Sequence, residues 1–142
     1  MKIILVLDPG ESTGYVVDTE GCLTNWGTIP FDRKLLWEFL IMQTPDIIVL
    51  EEFVLYPSHA KGLSWNKFHT CEMIGIIKLY CDMYGTELIA QKASDKKYSG
   101  ATKQDAAWLT MDKCDDTTEH TYDAYQHWCY YVRNNKGGKI YE

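Results

Sequence analysis

Two short apolar runs, each ending in a carboxylate and separated by a helical stretch, set the tightest limit on how this chain folds. Residues 3–7, Ile-Ile-Leu-Val-Leu, run straight into Asp8, and residues 47–50, Ile-Ile-Val-Leu, run straight into Glu51. Runs of this length suit buried strands and are too short for ordinary helices. Pro9-Gly10 closes the first run, and Ser12-Thr-Gly-Tyr-Val-Val17 opens a second β-favouring one. After the turn signal Glu20-Gly21, residues 22–29 alternate moderately, so the first thirty positions read as a three-stranded antiparallel meander. The period then changes. Leu35, Leu36, Phe39 and Leu40 recur at helical spacing behind Asp32, an available cap, and the helix stops before Thr44-Pro45. A helix between two buried strands is a crossover, which makes the strand before Glu51 a parallel neighbour. Asp8 and Glu51 would then emerge side by side at one edge of the sheet. Taken singly, Asp8-Pro9-Gly10 serves equally well as a turn and Glu51 as a strand-end surface residue; Glu52 points to the opposite face.

Past Glu52 the spacing predicts a loop containing Tyr56, His59 and Lys61, then a helix from Trp65 to Tyr84. Its apolar side is expected to be Phe68, Met73, Ile76, Ile77, Leu79, Tyr80 and Met83. Gly75 inside it costs roughly 1 kcal/mol relative to alanine, which close approach by another helix or strand would explain. A short strand at 87–90 leads into a segment carrying Lys92, Lys96, Lys97 and Lys103, and a helix follows from Lys103 to about Met111 behind Thr102. The last helix is expected from Thr118 or Glu119 to about Val132, capped by Asp116 or Thr117. On it, His120, Asp123 and His127 fall at i, i+3 and i+7 and share a face. Residues 1–133 read as one domain, and 134–142 as a polar, mobile tail.

A chain of 142 residues is long enough to bury a substantial core, and its 46% hydrophobic and 24% charged content is that of an ordinary soluble globule. No apolar run approaches a membrane span, and residues 1–20 lack the arrangement of a signal peptide. Five cysteines without a C-x-x-C pair point to reduced thiols and a cytoplasmic setting. The net charge of −6 argues against broad, non-specific nucleic-acid affinity, though not against a local basic strip.

A terminal helix laid across the carboxylate edge would bring Asp123 in as a third acid beside His120. Three oxygen-bearing groups and one imidazole make a hard site, suited to Mg²⁺ or Mn²⁺ rather than to thiolate-type zinc. Two such ions, about 3.5–4 Å apart, would hold both the attacking water and the leaving oxygen of a phosphodiester. Asp123 read alone is also an ordinary first-turn carboxylate, and His120 an ordinary cap-region histidine.

The motifs Leu7-Asp8-Pro9-Gly10 with Thr13-Gly14-Tyr15, Pro45-Asp46 through Leu50-Glu51, and His120-Thr-Tyr-Asp123-Ala124 together resemble those of the RuvC-type Holliday-junction resolvases, within the ribonuclease H-like superfamily. Lys97 with Gly100-Ala101-Thr102-Lys103 resembles their basic segment. The resemblance spans residues 2–133, in a compact form like those carried by phages and other viruses. It implies an α/β fold with a mixed five-stranded sheet, an antiparallel meander plus parallel strands, flanked by helices. It also implies a metal-dependent endonuclease that cuts four-way junctions symmetrically to 5′-phosphate ends. In that reading Asp8, Glu51, His120 and Asp123 are catalytic and metal-binding. Lys97, Lys103, Tyr56 and Lys61 contact branched DNA, and a homodimer supplies two sites. Rival readings are a nuclease of the same fold acting on other branched or flap DNA, and a non-catalytic DNA- or protein-binding module. Sugar-kinase- or ATPase-like chemistry needs a second lobe that 142 residues do not supply, and no cysteine is placed for a thiol enzyme.

Overall fold

The computed structural model describes residues 1–52, 65–112 and 119–135. Five strands, β1 (Ile3–Asp8), β2 (Ser12–Thr19), β3 (Cys22–Pro30), β4 (Ile47–Glu51) and β5 (Glu87–Gln91), form one sheet in the order β3-β2-β1-β4-β5. The β1–β2 and β2–β3 pairs are antiparallel, whereas β1–β4 and β4–β5 are parallel. This is the mixed sheet expected, and it follows from its connections. Tight turns join the first three strands, while helix α1 (Arg33–Gln43) and helix α2 (Trp65–Tyr84) precede the parallel ones. Asp32 caps α1 by accepting from the backbone N–H groups of Lys34 and Leu35 at 2.9 and 3.0 Å. Thr44, in the left-handed conformation at φ 44°, ends it.

Alternation along the strands sorts the core into two layers. Leu5, Leu7, Ile48 and Leu50 face α1 and α2, where they pack with Leu36, Leu40, Met73 and Ile77. Ile4, Val6, Ile47 and Val49 face the other side, where they meet Leu109 of α3 (Lys103–Asp112) and Ala124, Tyr125 and Tyr131 of α4 (Glu119–Asn135). Thr102 and Asp105 cap α3 reciprocally, each bonding the other's backbone N–H at 3.2 and 2.8 Å. The helix α4 continues two residues into the segment expected as a tail.

Two expectations for α2 need correction. Phe68, Leu79 and Met83 are exposed, at 48%, 52% and 61%, so the buried side is narrower than the apolar pattern and rests on Met73, Ile77, Tyr80 and Cys81. Apart from its own helix backbone and chain neighbours, nothing described lies within 4 Å of where a Cβ on Gly75 would sit, so no other element of the described fold explains that glycine. Among the described residues no helix is long and apolar enough to cross a membrane.

Candidate metal centre

The parity that buries Ile4 and Val6 toward α4 also sends Asp8 there, two residues on; Ile47 and Val49 do the same for Glu51. Both carboxylates therefore leave the sheet on the α4 face, at the C-terminal ends of adjacent parallel strands. The chain then brings α4 down onto them. Thr121, fully buried, donates from its hydroxyl to the Gly27 carbonyl at 2.7 Å and shares a hydrogen bond with Thr28 Oγ1 at 2.9 Å. Gly14, the register partner of Asp8, has no side chain because the first turn of α4 lies against it. A Cβ there would collide with the His120 carbonyl group and the Thr121 nitrogen. Gly10 is similar in kind, since its Cβ would lie 2.8 Å from His120 Cε1. The Thr13-Gly14 and Pro9-Gly10 steps thus give α4 its seat.

On that seat, His120 Nδ1 lies 3.1 Å from Asp8 Oδ2. Asp8, His120 and Asp123 each offer a ligand atom, and these atoms all lie within 4.8 Å of one another. Two acid oxygens and an imidazole nitrogen fit a hard divalent cation. Glu51 ends the strand next to that of Asp8, and the two carboxyls shift each other's titration. Lys96 reaches in from a 3-10 helix, Ala93–Tyr98, that follows β5. Its Nζ stands 3.5 Å from Glu51 Oε2 and 3.4 Å from Asp123 Oδ2.

The electrostatics differ sharply between the two strand-end acids. Burial raises the Asp8 carboxyl to about 6; the His120 hydrogen bond works against that rise, and the nearby Glu51 and Asp123 add to it. Burial also disfavours charge on Glu51, but hydrogen bonds with His127 and Asp8 and the Lys96 ammonium overcome it and hold that carboxyl at about 2. The Asp8 hydrogen bond raises the His120 pKa, while burial opposes it. Lys96 is held above its ordinary value, because Glu51, Asp123 and Asp8 outweigh its own desolvation. Crowded acids with one carboxyl driven upward are what a site built around a cation looks like before the cation is counted.

The structure thus brings together Asp8, Glu51, His120 and Asp123. Lys97 is exposed on the 3-10 helix, and Lys103 is exposed at the start of α3. Tyr56 and Lys61 lie outside the described residues, as do the caps proposed for α4. Three residues at the site escaped the sequence reading. Lys96 was visible only as one of several lysines, and the turn decides which of them points inward; Asp95 tightens that turn by accepting from the Lys92 N–H at 2.9 Å. His127 shares the face of α4 that its spacing indicates, but the spacing assigns it no task; it is fully buried, with Nε2 2.9 Å from Glu51 Oε2. Gln91, in register with Glu51 at the end of β5, faces His127 Nδ1 at 2.7 Å. Its position at a parallel strand end was the available signal.

No protein-family model and no curated protein matches the chain. Solved structures match it along nearly its whole length. Thermus thermophilus RuvC in complex with Holliday junction substrate superposes with a TM-score of 0.69 at 15% identity, covering 97% of both chains. The yeast mitochondrial Holliday junction resolvase gives 0.59 at 10% identity, over 94% of this chain and 80% of that one. Fowlpox virus resolvase with its substrate Holliday junction DNA gives 0.52 at 14% identity, over 96% and 99%. Likeness at these identities establishes the fold, which is ribonuclease H-like.

Proposed function

We propose that this protein belongs to the RuvC-type resolvases and is a divalent-metal-dependent endonuclease that cuts four-way DNA junctions symmetrically, leaving 5′-phosphate ends. The observation that carries this reading is the convergence of Asp8, Glu51, His120 and Asp123 at one sheet edge under α4. That the similar structures include two solved with Holliday junction DNA supports the choice of substrate.

In this reading Asp8, His120 and Asp123 would hold one Mg²⁺ or Mn²⁺, and Glu51 would help to hold a second. Bound there, such ions supply a water activated near neutral pH and positive charge beside the phosphodiester. Asp8 must be ionised and His120 neutral for the site to load, since only then do both offer a lone pair to a cation. Glu51 enters the chemistry already ionised. Lys96 faces the same space and neutralises charge that develops on the phosphate, while exposed Lys97 and Lys103 bind backbone phosphates farther out. Tyr56 and Lys61 are assigned to the same DNA surface. This local strip answers the overall charge of −6, which disfavours indiscriminate DNA binding more than binding at one shaped site.

Paired nicks need paired sites, so the proposal includes a C₂ homodimer. Exposed Phe68, Leu79 and Met83 on α2, with Gly75 open beside them, support that helix as the contact. The compartment proposed is the cytoplasm, or the host's if the chain is viral. The test is a panel of four-way junction, three-way, flap and linear duplex DNA, cut in Mg²⁺ and in Mn²⁺. Preference for the four-way junction is expected. Preference for flap or three-way DNA would keep the site and change the substrate, and binding without metal-dependent cutting would leave a non-catalytic module.

A further inference from the structure

One fully buried polar side chain beside the site is not used by the proposed chemistry. His127 has no solvent exposure and lies among residues such as Ala124 and Tyr131 on the sheet-facing side of α4. An apolar residue would fill that place at no electrostatic cost, whereas a buried imidazole must have both ring nitrogens satisfied. They are. Nε2 meets Glu51 Oε2 at 2.9 Å and Nδ1 meets the Gln91 side-chain amide at 2.7 Å, so the ring spans the ends of two adjacent strands.

We propose that His127, braced by Gln91, is a positioning residue that fixes the Glu51 carboxylate against the acidic cluster and thereby sets the cluster's affinity for a divalent cation. The hydrogen-bond pattern gives the device a direction. With Gln91 Oε1 facing Nδ1, both ring nitrogens would face acceptors, which a ring carrying one N–H cannot serve. In the same arrangement Gln91 Nε2 is buried with no partner among the described residues. Turning the amide by half a rotation, which interchanges its oxygen and nitrogen, resolves both problems. Gln91 Nε2 then donates to His127 Nδ1, and His127 Nε2–H donates to Glu51 Oε2. The carbonyl oxygen left over is the cheaper group to leave under-satisfied. Gln91, His127 and Glu51 so form a one-way row of donors ending on the carboxylate, with Lys96 Nζ approaching the same oxygen at 3.5 Å. An outer partner that orients a ligand in this way is typically worth ~10–100-fold in metal affinity.

The inference rests on the metal-binding reading of the cluster, and the experiment separates the two. Mn²⁺ binding to the DNA-free protein is measured from the loss of the free-ion paramagnetic resonance signal. The variants are wild type, His127→Leu, His127→Gln, Glu51→Gln and the double variant of Glu51→Gln with His127→Leu. His127→Leu fills the space without a donor and is expected to weaken Mn²⁺ binding ~10–100-fold. His127→Gln, which returns an N–H near the Nε2 position, recovers most of that loss. In the Glu51→Gln background His127→Leu has no further effect, because the ring acts through the Glu51 carboxylate. If His127→Leu fails to fold, Gln91→Leu takes its place in the same cycle, removing the brace and keeping the ring. Wild-type binding left unchanged by these substitutions, or weakened by the same factor with and without Glu51, overturns the positioning role alone. Absence of Mn²⁺ binding by the wild type overturns the metal reading and this inference with it.

Discussion

The two faces of the sheet are drawn from alternate residues of the same strands, yet they carry different loads. Toward α1 and α2 the strands present Leu5, Leu7, Ile48 and Leu50, and the layer is apolar from end to end. Toward α4 they begin the same way, with Ile4, Val6, Ile47 and Val49, and finish in Asp8 and Glu51. The difference lies in the last residue of each strand, where parity decides which face receives the acid. One face is therefore core alone, and the other is core at its base with a charged rim. The rim carries a cost that the core does not, since burial, with the nearby acids adding to it, pushes the Asp8 carboxyl up to about 6. Function and stability should accordingly separate by face.

The largest break comes from Asp8→Asn. It is expected to abolish metal-dependent cleavage, a loss beyond the ~100-fold that an outer partner costs. In chelator at pH 7 it should leave the fold unharmed or more stable, by about 1–3 kcal/mol from the removed burial of charge. Chemical denaturation beside a cleavage assay reads both. Gly14→Ala should come next. Its Cβ collides with the first turn of α4, so His120 and Asp123 shift from Asp8. Cleavage should fall by at least ~10-fold, and stability by roughly 1–3 kcal/mol. On the other face, Leu40→Ala, at a fully buried position on the inner side of α1, should cost about 2–5 kcal/mol while activity per folded molecule stays unchanged.

Acid dependence sharpens the comparison within the rim itself. Asp8, raised in the folded chain, binds its proton more tightly there than in the unfolded chain. Its contribution to metal-free stability is full below pH 3.8 and is lost as pH rises through about 6. Glu51 runs the other way, contributing above pH 4.5 and losing that contribution as pH falls toward about 2. Denaturation curves in chelator across this range should lose the first slope in Asp8→Asn and the second in Glu51→Gln. The smallest effect expected is from Gly75→Ala, where nothing described lies within 4 Å. It should stabilise α2 by up to about 1 kcal/mol in the monomer. A weakened dimer in sedimentation would mark that face of α2 as the contact.

Much of this arrangement was legible because it depends on short-range pattern. Apolar runs of five and four residues, a helix between them, and acids at their ends suffice to place Asp8 and Glu51 on adjacent parallel strands. The spacing of His120, Asp123 and His127 likewise fixes a common helix face. What the pattern could not supply was contact across the chain. Which lysine of Lys92, Lys96 and Lys97 turns inward depends on a 3-10 helix closed by Asp95, and local propensity gives no hint of it. Gln91 acquires its place only through register with Glu51, forty residues away. The exposed Phe68, Leu79 and Met83 show the converse limit, since an apolar residue at helical spacing announces a face and not what covers it.

The central claim is that the charged rim is a metal-dependent centre for cutting junction DNA. The most direct test is a single-turnover reaction on a four-way junction labelled in turn on each strand, with Mg²⁺ present or chelated, for wild type and Asp8→Asn. The account predicts nicks at symmetric positions on two opposing strands, with 5′-phosphate ends, seen only with Mg²⁺ and lost in the variant. Nicks that persist in Asp8→Asn, or that form equally well in chelator, would contradict it.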